Sequence, residues 1–364
     1  MTITNRNFGD YSRGFTYKQF DEPSSPSNGD SWFNIVTGEV KFYNGHLWKE
    51  IRTYELWGSG SDYGYVCGGF TNVNVSEIDR ILFPFNSGSI SSVGNLSQTK
   101  NNNISNNSSL YTYICGGTDG SVYFSIIDRF SFPFDSGTAS NVGNLNQSKR
   151  SSGACNSSNH GFVCGGYGGA AISIIDRFSF PFDSGTASNV GNLSGNKYNC
   201  SSNNSSLYGY VHGNESGPQS IIDRFSFPFD SGTASNVGNL SGNRYGMGGC
   251  NSSNHGFVCG GNTTRLSIID RLEFPFDSGT ATQTGNLSQT RRFSASNNSS
   301  THGFIYGGEG SVNLSSVDMF SFPFDSGTAT NVGNLSESKY GQSATDGVDF
   351  VNHLVGPIPN KVTP

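Results

Sequence analysis

Residues 126–138 read IIDRFSFPFDSGT, and the reading of this stretch decides the fold. Phe130, Phe132 and Phe134 recur at every second position with Arg129 and Ser131 between them, which is the period of a β-strand and not of a helix. The closing Asp135-Ser136-Gly137 is turn chemistry. The phrase returns six times, as EIDRILFPFNSGS, IIDRFSFPFDSGT three times, IIDRLEFPFDSGT and SVDMFSFPFDSGT. Its aspartates, Asp79, Asp128, Asp176, Asp223, Asp270 and Asp318, are spaced by 47 to 49 residues.

Working outward, each copy is followed by Gly-Asn-Leu, beginning at Gly94, Gly143, Gly191, Gly238, Gly285 and Gly333. Each is preceded by a short apolar run ending in a glycine doublet or its variant, such as YGYVCGG from Tyr63 or HGFVCGG from His160. An Asn/Ser cluster such as Asn156-Ser157-Ser158-Asn159 separates that run from a further short strand. Each unit therefore holds four strands: SSGAC as one, GFVCGG as two, SIIDRFSFPF as three and SNVGNL as four. A four-stranded meander repeated at this period is the blade of a β-propeller, whose sheets bury their faces on their neighbours round a ring. Sixteen of the 28 phenylalanines lie in the third-strand phrase, where burying each contributes about 1.5–3 kcal/mol.

The fold expectation is all-β, a propeller of four-stranded antiparallel blades. The strand-three and strand-four pair occurs six times. The strand-one and strand-two pair occurs seven times if Asp349-Phe350-Val351-Asn352-His353-Leu354 is a degenerate copy. SWFNIVTGEVKFYNGHLW, residues 31–48, is then the partner that closes the ring, and seven blades are favoured, with six as the alternative. The expected organisation is an attachment segment and Pro/Ser linker over 1–30, the propeller over 31–356, and a tail over 357–364. Residues 31–51 are either closing strands or a separate small module.

Composition limits function. The chain has 364 residues, 21 Lys and Arg against 27 Asp and Glu, a net charge of -6 and only 13% charged positions. Neither a nucleic-acid surface nor a polybasic membrane surface is expected from such a balance. The opening MTITNRNFGDYSRGF is polar and no apolar stretch approaches the ~20 residues that span a bilayer, so neither export by a classical signal nor membrane insertion is expected.

GFVCGG, IIDRFSFPFDSGT and GNL with a basic residue after it together resemble a kelch repeat over roughly residues 52–356. The kelch tryptophan of strand four is absent, with Val142, Val190, Val237 and Val332 near its place. Residues 23–48, through Gly29-Asp30, Trp32, Tyr43-Asn44-Gly45 and Trp48, are similar to a module of tail-fibre and appendage proteins of tailed bacteriophages. That resemblance implies a virion location after assembly in the host cytoplasm. It also implies partners among other virion proteins through the N-terminal segment, a host-surface glycan or protein as ligand, and a homo-oligomer in the particle. An intracellular kelch-like scaffold and a glycan-active enzyme are the alternatives.

No catalytic constellation is expected, and neither a cofactor nor a metal. His160, His255 and His302 fill the place taken by Tyr63, Tyr111 and Tyr208 in other blades, which suits a structural role. Kelch-like propellers include a copper oxidase, but no set of tyrosine, histidine and crosslinked cysteine stands out here. Cys67, Cys115, Cys164 and Cys259 share one strand-two slot, and Cys155 and Cys250 share another, all read as buried thiols. The Asp–Arg dipeptides point to opposite faces of a strand and are read as stitching between blades. Asp135, Asp183, Asp230, Asp277 and Asp325 supply one carboxylate per turn, short of the six to eight oxygens that calcium takes.

Alternation sorts the loops onto two faces. Turns one–two and three–four repeat NSSN or NNSS and FDSGT in nearly every blade. Loops two–three differ, as FTNVNVS, TDGSVYF, YGGAAIS, NESGPQS, NTTRLS and EGSVNLS. Binding groups concentrate on variable loops carried by a rigid scaffold. The expected ligand site is this varied face, through Phe70, Asp119, Tyr123, Tyr167, Glu215, Arg265 and Glu309, beside a basic ring of Lys100, Arg150, Lys197, Arg244, Arg292 and Lys339. Salt bridges within the blades are the competing role for that ring.

Overall fold

The computed structural model describes residues 17–19, 23–27, 30–34, 40–43, 48–51, 63–217, 219–262 and 264–346. The chain divides into two compact units, residues 1–58 and 59–364. In the first, Tyr17–Gln19 runs parallel to Ser31–Asn34, which pairs antiparallel with Val40–Tyr43, itself antiparallel to Trp48–Ile51. Trp32 is buried, and Asp30 accepts from Ser27 N at 2.8 Å to fix the turn after the Pro/Ser stretch.

The second unit is a ring of six four-stranded antiparallel sheets, not seven. Blade one combines Ser343–Asp346 with Tyr63–Phe70, Asn74–Leu82 and Ser91–Asn95. Blade two holds Ile104–Asn107, Tyr111–Cys115, Ile126–Ser131 and Ser140–Asn144, and blade three Gly153–Asn156, His160–Cys164, Ile172–Ser179 and Ser188–Lys197. Blade four holds Ser201–Asn204, Tyr208–His212, Gln219–Ser226 and Ser235–Arg244. Blade five holds Gly248–Asn251, His255–Cys259, Leu266–Glu273 and Thr282–Arg291, and blade six Ala295–Asn298, His302–Tyr306, Ser316–Ser321 and Thr330–Asn334. Ser31–Asn34, Val40–Tyr43 and Trp48–Ile51, from the stretch expected to complete a seventh blade, belong instead to the sheet of the first unit. The ring is closed by a C-terminal strand: Ser343 pairs with Cys67 and Asp346 with Gly64. One four-residue strand suffices, because blade one lacks only its innermost member. The expected strand copy at 349–354 lies outside the described residues.

The seams explain the repeated words of the sequence. In each blade the asparagine of Gly-Asn-Leu bridges in parallel to the turn of the next blade: Asn144 N donates to Gly185 O at 2.9 Å and Ala187 N to Asn144 O at 2.8 Å. The closing seam repeats this, with Asn334 N on Gly88 O at 3.0 Å and Ile90 N on Asn334 O at 2.9 Å. The preceding glycine is obligatory for approach, since a Cβ on Gly333 would overlap the Gly88 carbonyl oxygen. Each hydrophobic cluster spans a seam; Tyr113, Ile127 and Val142 of blade two pack on Val163, Phe178 and Phe182 of blade three.

First strands line the axis, and their free inner edges are satisfied by side chains of neighbouring blades. Blades two, four and six carry Ser-Asn-Asn; blades one, three and five carry a small residue in the serine place and Thr or Cys in that of the first asparagine. Ser105 Oγ donates to Ala344 O at 2.6 Å, Ser202 Oγ to Ala154 O at 2.6 Å and Ser296 Oγ to Gly249 O at 2.8 Å, each toward the preceding blade. Asn106, Asn203 and Asn297 donate to Cys155 O, Cys250 O and Thr345 O of the following blade. The Asn/Ser richness of the chain is thus the chemistry of unpaired sheet edges, and it gives the axis a threefold alternation inside a sixfold ring.

Candidate functional site

The axial channel encloses about 130 Å³, lined mainly by Ser, Asn and Gly of the first strands. On the face bearing the varied loops its mouth is framed by a closed circle of backbone hydrogen bonds. Asn102 N donates to Gly341 O, Gly341 N to Phe293 O, Phe293 N to Gly246 O, Gly246 N to Asn199 O, Asn199 N to Ser151 O and Ser151 N to Asn102 O, over 2.5–2.9 Å. All six residues are left-handed, with φ between 50° and 65°, although only two are glycine. A β-branched residue would be disfavoured at any of them, and Phe293 tolerates the conformation while its ring packs 6.2 Å from those of both Tyr245 and Tyr340.

The residue before each circle member pairs with the start of that blade's loop two–three, as Arg150 with Tyr167, Arg292 with Glu309 and Tyr340 with Phe70. These pairs put two arcs of aromatics round the mouth. One is Tyr123, Tyr167 and Tyr198, with centroids 5.7 and 5.2 Å apart along the arc. The other runs Tyr245, Phe293, Tyr340 and Phe70, the last pair 5.4 Å apart. Arg150 lies over Tyr123 and Tyr167 at 5.7 and 5.6 Å. Arg292 lies over Phe293 at 4.8 Å and donates to Glu309 at 3.0 Å, and Glu309 also receives Arg265. Glu215 accepts from Asn199 Nδ2. Asp119 is exposed and accepts from Ser121 N and Val122 N, whose donation holds its carboxyl below the ordinary range.

The basic ring separates into two groups. Lys100, Lys197, Arg244 and Lys339 are buried in ion pairs with Asp128, Asp223, Asp270 and Asp79, as Lys149 and Arg291 are with Asp176 and Asp318. Burial depresses the Lys197 and Arg244 pKa values. Five of these aspartates also accept from the serine of the preceding connection, Ser97 Oγ on Asp128 at 2.6 Å for example, whereas Asn146 stands in the serine's place before Asp176. These six cations fasten each interblade connection to the third strand of the next blade and do not reach the mouth. Arg150 and Arg292 stand one residue further on and reach it, because neighbours on an extended chain point opposite ways.

The Asp–Arg dipeptides stitch blades as expected. Arg80, Arg129, Arg177, Arg224 and Arg271 reach Asp135, Asp183, Asp230, Asp277 and Asp325 of the following blade. His160, His255 and His302 are half-buried at the starts of second strands, each 6.2 Å from a phenylalanine two residues on. His212 is wholly buried with Nε2 2.8 Å from Asn203 Oδ1, and burial with nearby Arg244 and Lys197 pushes it down to about 3. All seven cysteines are free and buried. Tyr198, Tyr245, Phe293 and Tyr340 were not among the expected site residues; their signal is an aromatic placed one or two positions after the buried cation. No protein-family model matches the chain, and no curated protein is significantly similar to it.

Proposed function

We propose that the chain is a non-enzymatic recognition protein that binds a host-surface glycan or protein at the varied-face mouth of its ring. One observation carries this reading: aromatic and arginine side chains of blade-specific identity converge on that mouth, while the opposite face repeats one set of turns in nearly every blade. Aromatic rings offer flat surfaces to a sugar or an aliphatic chain, and the charged groups fix orientation. The phage-appendage resemblance of residues 23–48 supports the further reading that the first unit attaches the chain to a virion.

The test is binding of the full chain to host cell envelopes or a glycan array. Tyr123→Ala and Tyr167→Ala are expected to weaken binding at unchanged melting temperature, and Leu207→Ala, on the repeated turns, to leave it intact. The reverse pattern moves the site to the other face.

A further inference from the structure

Among the described residues of the ring, nine of ten arginines and all four lysines lie within ion-pair reach of a carboxylate. The exception is Arg150. Its guanidinium lies over Tyr123 and Tyr167 at the channel mouth, and its Nε is enclosed without a hydrogen-bond partner. Tyr198 packs on Tyr167 beside it at 5.2 Å. The equivalent arginine of blade six, Arg292, is neutralised by Glu309. In blade three the residue facing Arg150 across the same bridge is Tyr167 instead of an acid.

An unneutralised guanidinium offers a planar fork of donors that fits carboxylate or phosphate oxygens. Held over two aromatic rings, it is already desolvated on those sides and needs little reordering to receive an anion. Three tyrosines around a single positive charge suit a ring carrying an acid group, the ring resting on an aromatic face while the acid meets the guanidinium.

We infer that Arg150, with Tyr123, Tyr167 and Tyr198, forms a subsite for an acidic saccharide, a sugar ring bearing a carboxylate or phosphate. This deepens the proposed function and rests on it.

The experiment is titration calorimetry of the full chain with an oligouronate, a phosphorylated oligomannose, a neutral maltooligosaccharide and an oligoglutamate peptide. The expected result is binding of one or both acidic saccharides, with Arg150→Gln weakening it by about tenfold or more, Arg150→Lys by less, and melting temperature unchanged. Which acidic saccharide binds distinguishes carboxylate from phosphate. Equal binding of the neutral saccharide, binding of the peptide alone, or an Arg150→Gln effect under about twofold overturns the subsite, since losing a charge-assisted bond costs more than that. If Tyr167→Ala still abolishes neutral-saccharide binding, the proposed function stands without the subsite. If wild-type protein binds neither saccharides nor host envelopes, both fall.

Discussion

Lys339 Nζ stands 2.9 Å from Asp79 Oδ2 with both side chains wholly buried, and this pair fastens the last connection of the ring to its first blade. Ser336 Oγ donates to the other carboxylate oxygen at 2.7 Å. Five other seams carry the same ion pair, four of them with the same serine donor, so closure uses the chemistry of the interior seams.

Removing one member of such a pair leaves a buried charge without a partner. Lys339→Met is expected to cost about 3–5 kcal/mol, and Asp79→Asn/Lys339→Met to recover much of it. Urea denaturation of the two variants checks this, and equal losses would contradict it.

The outer stitching pair is missing at one seam only. Where Arg271 meets Asp325, the closing seam has Met319 and Asn86, so both partners are replaced together. Met319→Arg with Asn86→Asp is expected to install a sixth pair with a coupling of about 0.2–1 kcal/mol in a double-mutant cycle, the size of an exposed ion pair. Zero coupling would mean the two positions do not face each other.

Acid should act through His212. Its folded pKa, about 3, lies below that of an unfolded histidine. Between that value and the ordinary one near 6.5 the unfolded chain therefore holds more protons, and stability falls as pH falls. The loss is expected to approach about 1.4 kcal/mol per pH unit across this window. His212→Cys, which places the residue of blade two beside Asn203, should flatten the dependence by that amount. Denaturation midpoints at pH 7, 5 and 4 for both proteins test it; parallel curves would refute the assignment.

Thiol chemistry offers a fourth check. All seven cysteines are buried, and burial pushes Cys115 and Cys200 up to about 12. An aromatic disulfide reagent should find no reactive thiol in native protein and seven in guanidinium. Five in guanidinium would reveal a disulfide, for which Cys155 and Cys164, neighbours within blade three, are the first place to look.

Much of this architecture was legible in the sequence because the blade interior repeats. Phe130, Phe132 and Phe134 announce the third strand, and Gly143 marks the approach of the next turn. Six blades were the alternative and not the favoured number, because closure demands a single short strand. Ser343–Asp346 supplies it without the Asn/Ser cluster that follows other first strands in the sequence, and Ser31–Asn34 and Val40–Tyr43 imitate strand spacing while pairing in the sheet of the first unit. The mouth was half legible. Loop variation identified its face and Tyr123, Tyr167 and Phe70, but Lys100 and Arg150 look alike in sequence. One position separates them, and only the direction of the side chain shows that the first meets Asp128 and the second does not. The threefold alternation along the axis is also written in the chain, as Ser-Asn-Asn in every second blade, and becomes meaningful once first strands are seen as edges needing partners.

The most direct test of recognition at the varied-face mouth is hydrogen exchange on the full chain with and without a saturating acidic oligosaccharide. Slowed exchange is predicted in Thr118–Phe124, Arg150–Ser151 and Tyr167–Ala171, with Asn156–His160 and Asp183–Thr186 unchanged. Protection confined to those latter turns, with none around Arg150, would contradict the account.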